Sequence, residues 1–152
     1  MKAQDTIGFQ VKATWQSIVK MYNRLTSEYD FSQAEGYVLI SIKKDGIPVT
    51  KIAPLMGIEP TSLSRLLKTM EDKGLIYREK DDDDRRVVKL FLTPKGLEFK
   101  KISKKIVLDY NKSIYEALTH EELESFFSIM EKVRKLTCQA NPNDDEAIQR
   151  NC

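Results

Sequence analysis

Between Val49 and Leu92 the hydrophobic period of the chain changes, and glycine and proline mark each change. A short apolar-patterned segment, Val49 to Met56, stops at Gly57. In Pro60 to Lys73, Leu63, Leu66, Leu67 and Met70 recur at spacings of three and four, which places them on one buried stripe of a helix. Pro60 suits the first helical position, where its missing N–H leaves no bond unmade, and Gly74 suits the left-handed residue past the end. Two strand-like runs, Leu75 to Lys80 and Val87 to Leu92, then flank the charged tip Asp81 to Arg86.

Helix, turn, helix and hairpin in that order predict a mainly α fold with a small β-hairpin wing, a winged helix-turn-helix of the kind that reads DNA. Opposite the buried stripe, the second helix carries Thr61, Ser62, Ser64, Arg65, Lys68 and Thr69. Hydroxyls near a helix N-terminus can bond phosphates or base edges, and an arginine such as Arg65 can fork onto guanine in the major groove. Taken alone, the same face reads more readily as an ordinary solvated surface; the hairpin behind it favours DNA. In the hairpin, Leu75 and Tyr77 share one face and Ile76 and Arg78 the other. In its second strand Val88, Leu90 and Leu92 oppose Val87, Lys89 and Phe91. Arg85 and Arg86 stand beside the loop, where a cationic finger can enter a minor groove or can simply balance the neighbouring aspartates.

The run Asp84-Arg85-Arg86-Val87-Val88-Lys89-Leu90-Phe91-Leu92-Thr93-Pro94-Lys95-Gly96 resembles the D-x-R-x(5)-L-T-x-x-G signature of the MarR family of bacterial transcriptional regulators. Gly57 to Leu67, followed by Glu71 to Ile76, is similar to that family's recognition helix and its exit, and the likeness extends roughly over residues 5 to 137. The resemblance implies a ligand-responsive repressor, binding double-stranded DNA at a palindromic operator as a homodimer. Arg86 would reach the minor groove beside Arg85, and Asp84 would fix the wing by a contact with Arg86 or a neighbouring backbone. Thr61, Ser62, Ser64 and Arg65, with Lys68 and Thr69, would face the major groove. It also implies a division of a single unit, residues 1–140, into a DNA-binding region, 30–93, and dimerisation helices, 5–29 and 94–137. A small aromatic or lipophilic effector is expected from the same likeness. Trp15, Met21, Tyr22, Tyr37 and Tyr110 are the candidates to line its cavity, although core packing is the commoner role for each.

Two features depart from the family's pattern. Asp82 and Asp83 stand where a proline and a variable residue are usual, and four adjacent carboxylates should repel phosphates unless they point away. Pro54 lies inside the short first helix of the motif, so a shortened or irregular helix is expected if Thr50 caps it. The alternative function is a winged-helix protein-interaction module without specific DNA binding, which the aspartate run would favour.

The remaining chain frames this centre. A length of 152 residues, 41% apolar and 32% charged, is that of a folded globular unit rather than a disordered one. The net charge of +2 says little, but residues 43 to 105 hold 16 basic against 10 acidic side chains, leaving 9 against 13 elsewhere. A basic centre with acidic ends suits a protein that turns one face to DNA. Val11, Trp15, Ile18, Tyr22 and Leu25 make a helical seam within residues 5 to 29, widened by Ile7, Val19 and Met21. Ser32 and Glu35 form a capping-box pattern opening a helix to about Lys44, with Tyr37, Val38, Leu39 and Ile42 buried, and Ile47 supplies a short strand. Thr93 and Pro94 open a long helix to about Ala117, whose lysines are solvated or touch a DNA backbone. Thr119 to Glu122 is a second capping box, opening a last helix striped with Leu123, Phe126, Phe127, Met130, Val133 and Leu136.

The polar tail Asn141 to Cys152 has no periodicity and should be mobile. Cys138 and Cys152 make no disulfide framework, so a reduced cytoplasm and an inert Cys138 thiol are the expectation. No run is long and apolar enough to span a bilayer. No phosphate loop, nucleophile elbow or metal-ligand cluster occurs, and the one histidine, His120, sits in a helix cap. No enzyme, metal or cofactor is therefore expected.

Overall fold

The computed structural model describes residues 2–140, in the order α1 (Ile7–Thr26), α2 (Gln33–Ser41), β1 (Ile47–Pro48), α3 (Ile52–Met56), α4 (Pro60–Asp72), β2 (Ile76–Lys80), β3 (Val88–Leu92), α5 (Pro94–Ala117) and α6 (His120–Ala140). The tail from Asn141 to Cys152 and the Cys138 side chain lie outside the described residues. One buried cluster gathers Val38 and Leu39 of α2, Ile42 just after it, Ile52 and Ala53 of α3, the α4 stripe Leu63, Leu67 and Met70, and Leu75, Ile76 and Leu90 of the wing. Leu66 and Phe99 pack at its edge. The three-and-four spacing in α4 is therefore the face that anchors it, and the other face is left to solvent.

The sheet runs β1-β3-β2, antiparallel throughout, with Ile47 opposite Leu90, Ile76 opposite Leu92 and Arg78 also opposite Leu90. Tyr77 and Phe91 pair on the other face with ring centroids 5.6 Å apart. Leu75 and Tyr77 do not share an environment, contrary to strict alternation. Leu75 precedes the strand, its N–H bonded to the Met70 carbonyl at 2.9 Å, so it closes the α4 exit and is buried while Tyr77 is exposed.

Helix limits differ from the sequence reading where distant groups intervene. α1 is shorter than residues 5–29, with 3-10 turns at Ala3–Asp5 and Ser27–Tyr29 on either side and Asp30 left-handed at φ 56°. α2 carries the Ser32–Glu35 capping box but ends at Ser41 rather than near Lys44. Ile42 turns extended there, because the Lys100 ammonium takes its carbonyl and Gly46 closes a turn onto Lys43. Tyr37, expected in the core, is 38% exposed, its hydroxyl donating to the Leu55 carbonyl at 3.4 Å across the face between α2 and α3. α3 is only 5 residues long behind the 3-10 turn Val49–Lys51, as the proline inside it requires, and Gly57 ends it at φ 63°.

Thr93 joins three elements. Its N–H donates to the Leu75 carbonyl (3.1 Å) and its hydroxyl to the Gly74 carbonyl (2.6 Å), while the same hydroxyl oxygen caps α5 by accepting from Gly96 N–H (3.0 Å). Gly96 lies so close to this junction that a Cβ there would stand 1.9 Å from the Leu75 carbonyl oxygen. Gly96→Ala should destabilise the fold by about 3 kcal/mol or more through overpacking against backbone, read as a lowered midpoint in urea unfolding. An unchanged midpoint would contradict this packing.

Candidate nucleic-acid interface

The outer face of α4 presents Thr61, Ser62, Ser64, Arg65, Lys68 and Thr69, all exposed. Pro60 opens the helix and Glu59 offers no side-chain cap, so the first-turn amide groups face outward without a local acceptor. The hydroxyls divide by what they still have to give. Ser64 donates to the Pro60 carbonyl (2.9 Å) and Thr69 to the Arg65 carbonyl (3.1 Å), leaving both free only to accept. Thr61 and Ser62 keep their protons. Lys68 sits 3.9 Å from Asp72 in an exposed pair, and the Arg65 guanidinium has no hydrogen-bond or ion-pair partner among the described residues. A guanidinium so placed is available to a bidentate acceptor.

The wing settles its own acidic run. Asp81 accepts from the Asp83 and Asp84 amides, each at 3.0 Å, and pairs with the Lys89 ammonium across the hairpin. Asp84 accepts from Arg86 Nε (3.0 Å), Arg86 Nη2 (3.1 Å) and the Arg86 amide (3.1 Å). The Arg86 side chain remains 92% exposed, so it is aimed rather than sequestered. Two of the four carboxylates are thus tied within the hairpin, and Asp82, Asp83 and Arg85 remain at the solvent-facing tip. Arg78, by contrast, is drawn back to Glu71 of α4 at 2.8 Å.

A cavity of about 220 Å³ lies between α1, α2 and α5. Trp15, Tyr22 and Tyr37 line it, with Phe31, Gln33 and Ser103. Met21 and Tyr110 are not among its lining residues. Tyr110 stands behind the wall, edge-on to Tyr22 at 5.4 Å, and burial with the nearby Tyr110 pushes the Tyr22 phenol above its ordinary pKa. The Ser103 hydroxyl is buried against the cavity with no hydrogen-bond partner among the described residues. Ser103 was invisible as a site residue in the sequence, where it is one serine among lysines.

Two lysines at the start of α5, Lys95 exposed and Lys100 half-buried, spend their ammonium groups on backbone carbonyls. Lys95 donates to the Lys73 carbonyl at 2.9 Å, and Lys100 holds the end of α2, its pKa lowered by burial and by Lys104.

The wing's ion pairs fix its response to acid. The Lys89 hydrogen bond, then loop amides, hold the Asp81 carboxyl below its ordinary value of 3.8; the Arg86 guanidinium, then the Arg86 amide, do so for Asp84. A carboxylate depressed in the folded state contributes order that is complete above the unfolded value and is lost as pH falls through the folded one. Amide signals of the hairpin should therefore hold from neutral pH down to about 4 and move only below it. In Asp84→Asn the Arg86 Nε–H signal should lose its paired position at every pH, and an unmoved signal would contradict the pairing.

The sequence model of the MarR family matches residues 31–88. The transcriptional regulator SarZ of Staphylococcus saprophyticus is 27% identical over 117 residues, covering 73% of this chain and 80% of that protein. The transcriptional repressor MdtR of Bacillus subtilis is 32% identical over 101 residues, 63% of this chain and 65% of that one. Among solved structures, the S. aureus MepR–DNA complex superposes with a TM-score of 0.76 at 22% identity, over 84% of this chain and 96% of MepR. A mutant MarR from E. coli complexed with operator DNA gives 0.74 at 22% identity, over 88% and 99%. At that identity the structures speak for the winged-helix fold, and the sequence relatives are regulators of transcription rather than enzymes. The signature over Asp84 to Gly96 and the matched region from α2 to the wing are those of the MarR family, which the chain resembles over that stretch.

Proposed function

We propose that the chain is a DNA-binding regulator that represses transcription as a homodimer on an inverted-repeat operator and responds to a small aromatic or lipophilic molecule. The observation that carries this reading is the outer face of α4, where Arg65 and the first-turn amides are exposed and unclaimed by the fold. An unpaired guanidinium on a helix braced by its opposite face is what base readout in a major groove requires. Arg86, oriented by Asp84, supplies the second contact at the adjacent minor groove. The relatives point the same way: MepR and MarR have been solved with DNA, and MdtR is named a repressor.

Residues 30–93 form the DNA-binding region on this reading, and the helices over 5–29 and 94–137 form the dimer layer. α6 buries none of its described side chains, and Trp15 of α1, Leu108 of α5 and Phe126 and Leu136 of α6 are all more than half exposed. A second copy covering them would set two recognition helices about 34–36 Å apart, one turn of B-DNA. A molecule in the cavity between α1, α2 and α5 releases DNA if it binds more tightly to a dimer with altered helix spacing.

Fluorescence anisotropy with the duplex upstream of the protein's own gene, repeated across salt concentrations, tests the reading. Arg65→Ala should cost about 1–3 kcal/mol and relax one operator position, while Arg86→Ala should weaken binding and lower the salt slope by about one. Unchanged affinity and slope in both variants would overturn the assigned contacts. Sedimentation equilibrium should give the mass of two chains, shifting toward one in a Phe127→Lys/Leu136→Lys variant. A wild-type monomer would remove the dimer.

A further inference from the structure

We propose that Lys73 is a positioning residue for the recognition helix, setting the direction in which α4 points by tying its last turn to the end of α1 and the start of α2. The inference rests on the DNA-binding reading above. Lys73 follows α4 as its C-cap, and its side chain folds back into the protein. Its ammonium donates to the Asp30 carbonyl at 2.8 Å and to Glu35 Oε2 at 3.3 Å, and lies 3.0 Å from Glu35 Oε1, an oxygen that accepts no hydrogen bond. The Glu35 side chain is only 4% exposed and is already fixed at the first turn of α2, where Oε2 accepts from Ser32 N–H at 2.7 Å. Asp30 is the left-handed residue that closes the turn after α1. The Lys73 carbonyl in turn accepts from Lys95 at the start of α5.

The tether does something that the apolar stripe of α4 cannot. Burial of Leu63, Leu67 and Met70 holds the helix against the core but is non-directional, so it resists pulling away more than rolling or tilting along the stripe. An ammonium held by a carbonyl and a buried carboxylate has fixed partners in fixed directions. The helix of 13 residues is about 20 Å long, so a tilt of about 5° at its C-terminal end carries Thr61 sideways by roughly 1.5 Å. That displacement is half a hydrogen bond's length at the base edges. Lys73 thus sets base readout from the end of α4 farthest from Thr61, through the turn that follows α1 and the first turn of α2.

The test measures wild-type and variant protein by anisotropy on the upstream duplex and on an unrelated duplex, with thermal unfolding alongside. A wild-type protein that does not prefer the upstream duplex defeats the DNA-binding reading itself, whatever Lys73 does. Given that preference, Lys73→Met should lower affinity for the upstream duplex about tenfold while changing affinity for the unrelated one less than about twofold, with the salt slope unchanged. Lys73→Arg, which keeps a cation of similar reach, should restore specific binding. Lys73→Met strands the buried Glu35 carboxylate and can unfold the protein, so Glu35→Gln/Lys73→Met removes both charges together. The double variant should melt near the wild-type temperature and still lack the preference. If it regains wild-type preference along with stability, or if a folded Lys73→Met binds as wild type does, the pair serves stability alone and the inference is overturned.

Discussion

The carbonyl of Leu75 is the point on which the arrangement depends. It accepts the Thr93 amide, so the entry of β2 and the exit of β3 close on each other there, and Gly96 at the start of α5 packs directly against it. Thr93 adds a bond to the carbonyl of Gly74, the left-handed residue after α4. Four elements thus meet within a few residues, and each is held by backbone polarity rather than by side-chain fit. A chain with a larger residue at position 96 would have to move α5 away from the wing, and the common core under α4 would open with it. The L-T-x-x-G end of the family signature has this physical content: a threonine that donates backward and caps forward, and a glycine where no Cβ fits.

Charge plays a different part from burial. Inside, Glu35 and Lys73 are paired because an unpartnered carboxylate there would be costly. On the wing, Asp81 with Lys89 is a largely covered pair that closes the hairpin, whereas Asp84 with Arg86 is an exposed pair whose contribution to stability is small, yet it decides where the arginine points. The adjacent aspartates, which as a sequence look hostile to a polyanion, serve as two internal acceptors and two exposed tips. Glu71 performs a related service for Arg78, pairing with an exposed cation of β2 at 2.8 Å and turning it back toward α4.

Much of this was legible in the chain because its causes are local. α4 announced itself through a periodic stripe and through Pro60 and Gly74 at its ends, and the brevity of α3 followed from Pro54. Both capping boxes form as their spacing required, Ser32 with Glu35 and Thr119 with Glu122. What could not be read depends on partners far along the chain. The end of α2 is set by Lys100, 58 residues later, and no periodicity in either helix signals that bond. Asp81 finds Lys89 only once the register of the hairpin is known. Tyr37 looked like a core residue because apolar neighbours surround it in sequence, but α2 turns it toward α3 and solvent. In the cavity, Trp15, Tyr22 and Tyr37 fall where aromatic residues on α1 and α2 would place them, whereas Met21 is not among the lining residues and Ser103 had no local signal at all.

The outer helices complete the physical argument for a second copy. α6 spans 21 residues, and a helix in a folded protein draws most of its stability from the packing of an apolar face rather than from its own hydrogen bonds. Its stripe of Phe126, Phe127, Ile129 and Leu136 is exposed, as are Ile7, Phe9 and Trp15 on α1 and Leu108 and Tyr115 on α5. Covering a side chain of this size stabilises by about 1.5–3 kcal/mol when burial is complete, and these are already about half covered, so what remains to be gained over all of them is of the order of a typical domain's net stability. The uncovered faces occur on the first and last two long helices together, and a two-fold pairing lets each supply cover for the other without a foreign partner. Under that arrangement the turn at Asp30 is where the dimer layer meets Lys73 and, through it, α4. A change in how two copies clasp would then reach the reading helix through a charged tether instead of through the soft apolar core.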